Sequence, residues 1–384
     1  MRISFTGDIM CELPTLRKSK VKNSYNFQGM LSKSNIFGKT DYLVGNLETV
    51  FAGKNAKYSN DIYSYNTPDS FINEVSKAGF DLVTTANNHC LDRGKEGLIR
   101  TIKVLKDNNI NYIGTNINDT DDRYRIIDFD GLKIGFMSYT YGSNYSINKN
   151  KLDLNDQFMV NYFEKQDWVD NSRKDLYSKF KDNIISAENR VKILKLLNRK
   201  YNKPRVDNTE IKDLDENLII DIMKLKKSSD IIVFLMHSGG QFNVEPGIYT
   251  TKLVNNLRNN GIKIIIGTHP HIVQKYVKIN DFFVAYSLGN YFISPDTIYL
   301  INDNLPLYSI VLHMDIVSLN KYNWCFSIAK IINDNEKEKV VDTYDLYNSD
   351  SSSKIQILND CRTIYQTFTG KITNDFKMHK EYEI

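Results

Sequence analysis

The sequence lacks closely spaced cysteine pairs. Its four cysteines, Cys11, Cys90, Cys325 and Cys361, stand far apart in a chain of 384 residues, and no C-x-x-C pair occurs. This spacing argues against a disulfide framework. We therefore expect reduced thiols and a reducing compartment.

Long hydrophobic runs and a strong excess of one charge are also missing. No window approaches the roughly 18 apolar residues that cross a bilayer. The N-terminus lacks a basic segment followed by an apolar one, so no signal peptide is predicted. The net charge is only +4, scattered along the chain, which gives no argument for a nucleic-acid partner. These features predict a cytoplasmic protein without a membrane segment.

The composition is that of a folded protein, because 41% of the residues are hydrophobic and 25% are charged. A chain of this length buries roughly three-quarters of its unfolded surface. We predict a single domain over residues 1–384. A helical insertion is expected at about 143–208, with helical patterns over 167–181 and 187–198. A C-terminal extension of strands and a last helix is expected at about 305–384, with strands near 308–315, 324–332 and 339–344 and the helix near 353–368.

Short apolar runs that end in polar clusters recur along the chain, and helical patterns over 68–78 and 94–107 alternate with them. This order predicts an α/β fold in which ligands bind at the carboxyl ends of the strands. The apolar runs are residues 3–5, 42–44, 82–84, 231–235, 262–266 and 282–286.

Histidine usage is the sharpest clue to function. The chain has six histidines, and His89, His237, His269 and His271 follow predicted strands. A single histidine is more often structural, but four at converging strand ends favour a functional site. Together with carboxylates and amides they suit metal binding, and a mixed set of six or more residues is too rich for one structural zinc. The expected ligands are Asp8, Glu48, Asn88, His237, His269 and His271, around two divalent ions of Mn, Fe or Zn.

The segment from Asn87 to Gly94 offers a second function beside metal binding. Asn88 can present its carbonyl oxygen to a metal, while His89 can donate a proton to a leaving group. A turn closed by asparagine side chains is the structural alternative. Asp92 either caps the helix that follows or orients His89. Arg93 is a candidate contact for an anionic substrate, with a solvated arginine as its alternative.

Six motifs in order resemble the CapA family, the poly-γ-glutamate capsule synthesis proteins with a calcineurin-like metallophosphoesterase fold. They cover residues 1 to about 295. The motifs are Gly7-Asp8-Ile9-Met10, Gly45-Asn46-Leu47-Glu48, Ala86-Asn87-Asn88-His89 with Asp92 and Gly94, His237 with Gly239-Gly240, Gly267-Thr268-His269-Pro270-His271, and Tyr286-Ser287-Leu288-Gly289-Asn290.

The resemblance implies a four-layer α/β/β/α sandwich with a dinuclear metal site. By similarity, Asp8 and His271 bind the first ion. Asn88, His237 and His269 bind the second ion, and His89 donates the proton. Glu48 or Asn46 occupies the bridging position, and Glu48 is favoured because two cations need a negative bridge. Asn46, Arg93 and Asn290 are the candidate substrate contacts.

The chain departs from the pattern that it resembles at three positions. Met10 stands where the wider superfamily has a metal-binding histidine, and a thioether is a poor ligand for hard ions. The bridging aspartate is absent. Gln241 stands where the family often has glutamate. Because of Met10, the first metal site is expected to be weak or empty.

Two functions remain open from the sequence. The favoured one is a hydrolase that uses two metal ions to activate water against a phosphoester or an amide, linked to capsule or poly-γ-glutamate metabolism. The alternative is a non-catalytic module that binds an anionic polymer or helps to assemble it. The basic residues between Arg190 and Arg205 would contact the polymer, unless they form a solvated helix face. Catalysis by a serine or cysteine nucleophile is unsupported, because no G-x-S-x-G motif occurs.

Overall fold

The computed structural model describes residues 1–31, 35–164, 187–197, 211, 214–319, 321–334, 337–349 and 352–384. The strands are β1 (Arg2–Ile9), β2 (Lys20–Val21), β3 (Ser24–Tyr25), β4 (Tyr42–Leu47), β5 (Leu82–Thr84), β6 (Asn111–Ile113), β7 (Tyr124–Phe129), β8 (Leu132–Thr140), β9 (Ile231–His237), β10 (Ile264–Thr268), β11 (Val273–Ile279), β12 (Phe282–Leu288), β13 (Asn290–Phe292), β14 (Tyr308–Ser318), β15 (Lys321–Asp334), β16 (Lys337–Asp342) and β17 (Tyr382–Glu383).

Helices connect many of these strands. The α-helices are α1 (Leu13–Ser19), α2 (Ile72–Ala78), α3 (Gly94–Asp107), α4 (Tyr145–Asn148), α5 (Ala187–Leu196), α6 (Glu216–Ser228), α7 (Ile248–Asn259), α8 (Thr343–Ser349) and α9 (Lys354–Thr369). Short 3₁₀ turns lie at Asn35–Phe37, Lys54–Ala56, Asp69–Phe71, Leu154–Met159 and Asn302–Asn304.

Two large sheets form the centre of the molecule. The first has the order β16-β15-β14-β1-β4-β5-β6, with β13 beside β1 and β17 beside β15; the second has the order β11-β12-β10-β9-β8-β7. Strands β1, β4, β5 and β6 run parallel, as do β8, β9, β10 and β12. Strands β14 to β16 continue the first sheet in antiparallel fashion.

Alternation along each strand explains how the sheets pack. Phe5 and Val44 of the first sheet face Phe136 and Leu235 of the second in one buried cluster. Their sequence neighbours, such as Leu43 and Phe234, point to the opposite faces. Successive side chains of a strand project to opposite sides. One face of an apolar strand therefore packs against the other sheet, and its opposite face packs against a layer of helices.

Helices cover both outer faces. Residues of α2 and α3 pack on the first sheet, and residues of α6 and α7 pack on the second. Helix α9 packs against β11 and contributes to the cluster between the sheets. The predicted four-layer α/β/β/α sandwich is confirmed.

Several predicted elements are found with shifted bounds. The helical pattern over 68–78 becomes a 3₁₀ turn followed by α2, whereas 94–107 matches α3. The C-terminal strands and the last helix are present as β14 to β16 and α9. The pattern over 167–181 lies outside the described residues, and that over 187–198 corresponds to α5, whose last described position is 197. No helix in the described ranges is long and apolar enough to cross a membrane.

Candidate metal centre

The candidate site lies where parallel strands of both sheets end. Asp8 is the penultimate residue of β1, Glu48 follows β4, and His237 is the last residue of β9. His269 and His271 follow β10. All of these side chains are buried, so the packing of the two sheets brings the ends of separate strands into one enclosed cluster.

Two groups of ligand atoms overlap within this cluster. One consists of Glu48, His237 and His269, and the other of Asp8, Glu48 and His271, and in each group the atoms lie within 4.8 Å of one another. Glu48 belongs to both. The Asn88 Oδ1 atom lies 2.8 Å from His237 Nε2, beside the first group. All six side chains predicted as ligands therefore meet, and one carboxylate is shared between the two groups.

Glu48 is the centre of the cluster. Its Oε1 atom is buried and accepts no hydrogen bond in the described structure. His237 Nε2, His271 Nε2 and His89 Nε2 lie 3.7, 3.8 and 4.0 Å from that oxygen. An unsatisfied buried carboxylate oxygen is costly. Oxygen and imidazole donors around it are a set that suits Mn, Fe or Zn, so the residues present fit a divalent cation.

The electrostatics favour the same conclusion. Burial raises the pKa of Glu48 well above its usual range, and the neighbouring Asp8 carboxylate raises it further. Burial also lowers the pKa of His237, and the nearby imidazoles of His269 and His271 add to this effect. A bound cation would stabilise both the ionised carboxylate and the neutral imidazole that metal binding requires.

Asn46 supports Asp8 from the middle of the site. Its Nδ2 donates to Asp8 Oδ1 at 2.8 Å, and its Oδ1 accepts hydrogen bonds from Thr84 Oγ1 at 2.8 Å and Asn87 Nδ2 at 3.2 Å. The amide is held on both sides. The amide therefore orients the Asp8 carboxylate. Asn46 was predicted to contact substrate, but both its Nδ2 and its Oδ1 already form hydrogen bonds within the protein.

Asn290 plays a similar part for His271. Its Oδ1 lies 3.0 Å from His271 Nδ1, while its Nδ2 donates to the His271 carbonyl oxygen at 2.9 Å and to the Pro306 carbonyl oxygen at 3.1 Å. These bonds assign the His271 proton to Nδ1, which leaves Nε2 with a free lone pair toward Glu48.

The His269-Pro270-His271 loop directs its two imidazoles to different groups. His269 has a backbone φ of +100° and His271 a backbone φ of +59°. Residues other than glycine seldom adopt such values. The His269 backbone N–H donates to Asp8 Oδ2 at 3.2 Å. Gly239 makes room for the loop, since a Cβ there would lie 3.0 Å from Pro270 Cγ. The loop predicted from the sequence is confirmed, with one ring in each ligand group.

His89 is held by Asp92, three positions along the chain, and by two residues that are distant in sequence. Its Nδ1 lies 2.7 Å from Asp92 Oδ2, which also accepts the Tyr65 backbone N–H at 2.6 Å. The Tyr65 ring stacks on the imidazole with 4.1 Å between centroids. Asn144 Nδ2 lies 3.4 Å from His89 Nε2. The Nδ1 proton belongs to the Asp92 bond, and Nε2 faces the ligand cluster.

Two sequence interpretations change at this point. Asp92 is not the cap of α3, because Arg93 occupies the cap position and makes no side-chain capping bond, whereas Asp92 binds His89. Arg93, predicted either as a substrate contact or as a solvated arginine, binds neighbouring loop residues. Its guanidinium donates to Ser64 Oγ at 2.7 Å and to the Ala56 carbonyl oxygen at 3.0 Å, which anchors the loop that carries Tyr65.

Sequence reasoning missed Glu12, Tyr65 and Asn144. Asn144 was detectable, because the apolar run of β8 ends at Thr140 and Asn144 follows it, as the other site residues follow their strands. Glu12 and Tyr65 gave no local signal. Tyr65 Oη donates to Glu12 Oε1 at 2.8 Å, and this contact spans 53 positions of the chain.

The basic residues proposed to contact a polymer are only partly described. Lys192 lies on α5 and forms an ion pair with Glu188 at 2.7 Å. Arg199, Lys200, Lys203 and Arg205 lie outside the described residues.

Comparison with known proteins places the chain in a family. The family model for the bacterial capsule synthesis protein PGA_cap matches residues 2–295. The PGA biosynthesis protein CapA of Bacillus subtilis (strain 168) is 22% identical over 293 residues, which cover 75% of this chain and 62% of that protein. The capsule biosynthesis protein CapA of Bacillus anthracis is 22% identical over 256 residues, 66% of this chain and 50% of that protein.

The chain thus spans between 50% and 62% of the length of these relatives. The crystal structure of a hypothetical protein from Thermus thermophilus aligns with a TM-score of 0.39 and 11% identity, covering 89% of this chain and 99% of that one. The match over residues 2–295 identifies the chain as a member of the PGA_cap family of bacterial capsule synthesis proteins.

Proposed function

We propose that this chain is a metal-dependent hydrolase that acts in capsule or poly-γ-glutamate biosynthesis. The observation that carries the proposal is the buried Glu48 Oε1 atom, which accepts no hydrogen bond within the described residues and is surrounded by three imidazoles. The link to capsule synthesis rests on the family.

The two ligand groups support a site for two divalent ions. Asp8 and His271 would hold the first ion, His237, His269 and Asn88 the second, and Glu48 would bridge them. Such ions lower the pKa of water and polarise P=O or C=O bonds. Mn, Fe and Zn all suit this mixture of nitrogen and oxygen ligands.

The protein's own residues would do the remaining work. His89 presents Nε2 toward the cluster and is the group placed to give a proton to a leaving atom. Asp92 fixes its tautomer, and Tyr65 fixes the plane of its ring. Asn46 and Asn290 hold Asp8 and His271 in orientation. The burial of these groups keeps bulk water away from them.

The test begins with metal content, because substrate identity is not needed for it. The protein is purified without chelator or immobilised nickel, and metals per chain are measured by plasma mass spectrometry for the wild type, Glu48→Gln and Glu338→Gln. Glu338 is also fully buried but receives hydroxyl groups and a lysine. We expect about two transition-metal ions per chain in the wild type and in Glu338→Gln, and loss of both ions in Glu48→Gln.

Loaded protein is then assayed on aryl phosphate esters and on γ-glutamyl anilides. Turnover of either class that disappears in Glu48→Gln supports the proposal and identifies the bond. A wild-type protein that contains no metal and does not reload with Mn, Fe or Zn would overturn it, and would leave a non-catalytic polymer-binding role.

A further inference from the structure

A cavity of about 270 Å³ lies beside the candidate metal centre. Helix α1, helix α5 and the segments around Tyr65 and Thr297 enclose it. The proposed function does not use this cavity. Its volume is that of a small organic molecule, near the lower end of ligand-binding pockets.

The inner wall carries an unusual carboxylate. Glu12 is almost completely buried and accepts hydrogen bonds from three hydroxyl groups, those of Tyr65, Tyr299 and Thr297. No lysine or arginine among the described residues contacts it. Its ionisable neighbours include Glu48 and His271 of the ligand cluster, the Cys11 thiol, and the Tyr65 and Tyr299 hydroxyl groups that bind it.

Glu12 therefore retains capacity for a further donor. A carboxylate has about four acceptor positions, and the three hydroxyl groups fill three of them, two on Oε1 and one on Oε2. Burial raises the pKa of Glu12, and the three hydroxyl groups and His271 offset only part of the cost of its charge. A positively charged donor that enters the cavity would offset that cost.

The mouth of the cavity has the opposite character. Arg17 Nη1 and Nη2 both lie 2.8 Å from the Glu188 carboxylate, and Lys192 Nζ lies 2.7 Å from the same group. Two cations thus share one carboxylate at this point. Their side chains are 56% and 54% exposed, so both can also meet a ligand that arrives from solvent.

Hydrocarbon surface lies between the two ends. Leu13, Ile62 and Ile298 line the cavity, and an aliphatic chain would displace water from these side chains with a gain in free energy. Lys18 and Asp296 also line the cavity and pair with each other at 2.7 Å. The lining thus runs from an acceptor on the inner wall, across an apolar middle, to a mouth where Arg17 and Lys192 exceed Glu188 by one positive charge.

We propose that this cavity binds a small aliphatic zwitterion, with its ammonium group on Glu12 and its carboxylate at Arg17 and Lys192. This role goes beyond the proposed hydrolysis and needs no metal. Tyr65 connects the two sites, because its hydroxyl binds Glu12 while its ring stacks on His89. An occupant of the cavity would therefore contact the residue that holds the candidate proton donor.

The proposal is tested by calorimetric titration of the full chain with matched ligands of five carbons. The probes are 5-aminopentanoate and L-norvaline as zwitterions, pentanoate as the anion alone and pentylamine as the cation alone. We expect 5-aminopentanoate to bind about tenfold more tightly than L-norvaline and both singly charged probes, because only its charges lie at opposite ends of the chain and make both charge-assisted contacts. Glu12→Gln and Arg17→Gln should each weaken that binding about tenfold, with Arg362→Gln on α9, outside the cavity lining, as the matched control.

The titrations are repeated after removal of metal with chelator, where the same affinity is expected. Failure of hydrolysis therefore leaves this result intact, and the two proposals fail separately. Circular dichroism and a thermal melt establish that Glu12→Gln is folded. Binding of 5-aminopentanoate that is no tighter than that of pentanoate or pentylamine, or that is unchanged in a folded Glu12→Gln, would overturn the proposal.

Discussion

Two buried glutamates at the first sheet differ in the hydrogen bonds that their carboxylates accept. Glu338 in β16 is 0% exposed and receives the Thr15 hydroxyl at 2.6 Å, the Ser294 hydroxyl and Lys18 Nζ at 3.2 Å. Glu48, also 0% exposed, follows β4 and has an Oε1 atom with no hydrogen bond in the described structure. The described side chains satisfy the first carboxylate, whereas they supply no donor to Oε1 of the second.

The difference follows the arrangement of the strands. In the parallel part of the sheet, the carboxyl ends of β1 and β4 meet those of β9 and β10 from the other sheet, so polar residues collect there. In the antiparallel part, β14 to β16 alternate in direction, and the side chains near their ends do not converge on one edge. We infer that the parallel part carries the chemistry and the antiparallel part stabilises it.

Glu48→Gln should have the largest effect, because it removes the negative charge that both ligand groups share. Metal content should fall to well under one ion per chain, and hydrolytic turnover should fall by at least about 10³-fold. Plasma mass spectrometry and steady-state kinetics measure the two effects. Thermal stability of the metal-free protein should hold or rise, since an ionised buried carboxylate without a partner is costly. A variant that keeps two ions would show that Glu48 is not the bridge.

Asp92→Asn should lower activity without loss of metal. Asp92 contacts His89 Nδ1 at 2.7 Å and belongs to neither ligand group. An asparagine holds the imidazole less firmly and can stabilise the wrong tautomer, so turnover should fall about 10- to 100-fold. Asp107→Asn, at the exposed end of α3, is the matched control. Equal losses of metal and turnover in Asp92→Asn would instead assign Asp92 to the support of the metal centre.

The parallel part was also the part most readily predicted from sequence. The pattern there is local, because the apolar residues of each strand and the polar residues at its end lie within a few positions of each other. The polar residues are Asp8, Glu48, His237 and the His269-Pro270-His271 loop. Helix α3 was predicted at its observed bounds for the same reason. The sequence left open whether Asp92 caps that helix or orients His89, because the oxygen that binds His89 also accepts the Tyr65 backbone N–H, 27 positions away.

Contacts between distant segments explain what was missed. Glu12 receives hydroxyl groups from Thr297 and Tyr299, which are 285 and 287 positions away, and no spacing rule connects them. Helix α8 follows β16 without a break, and the predicted strand over 339–344 ran across this boundary. In both cases tertiary packing determines the hydrogen-bond partner or the element boundary, and the residue periodicity of a single segment does not predict it.

Glu338→Gln should have a smaller and purely structural effect. The amide retains one acceptor oxygen but turns a donor toward the Lys18 ammonium or a hydroxyl group, so a buried hydrogen bond is lost. The free energy of unfolding should decrease by about 1–3 kcal/mol, as measured by urea denaturation, with metal content unchanged. Glu216→Gln, at the start of α6, should change it by less than about 0.5 kcal/mol. Loss of metal in Glu338→Gln would contradict the inference that the parallel part of the sheet carries the chemistry and the antiparallel part only stabilises it.

Asp342→Asn tests whether an unsatisfied carboxylate oxygen is by itself a sign of function. Asp342 ends β16, and its Oδ2 atom is buried without a hydrogen bond in the described structure, yet Asp342 belongs to neither ligand group found among the described residues. Burial raises the pKa of Asp342 to about 6. The Tyr344 N–H donates to its Oδ1 at 2.8 Å, a bond that asparagine can keep.

A carboxyl group whose pKa is higher in the folded state binds more protons when folded, so its contribution to stability declines as the pH rises from about 4 through about 6. Asparagine removes that decline. The variant should therefore match the wild type near pH 4 and exceed it by about 1–3 kcal/mol above pH 7, measured by denaturation across the range with the exposed Asp375→Asn as control. Metal content should stay at the wild-type value.

A buried carboxylate oxygen without a hydrogen bond would then indicate a metal centre only where imidazoles surround it, as they surround Glu48. A variant that is no more stable than the wild type at pH 8 would mean that Asp342 is ionised at little cost, and that the antiparallel part tolerates buried charge as well as the parallel part does.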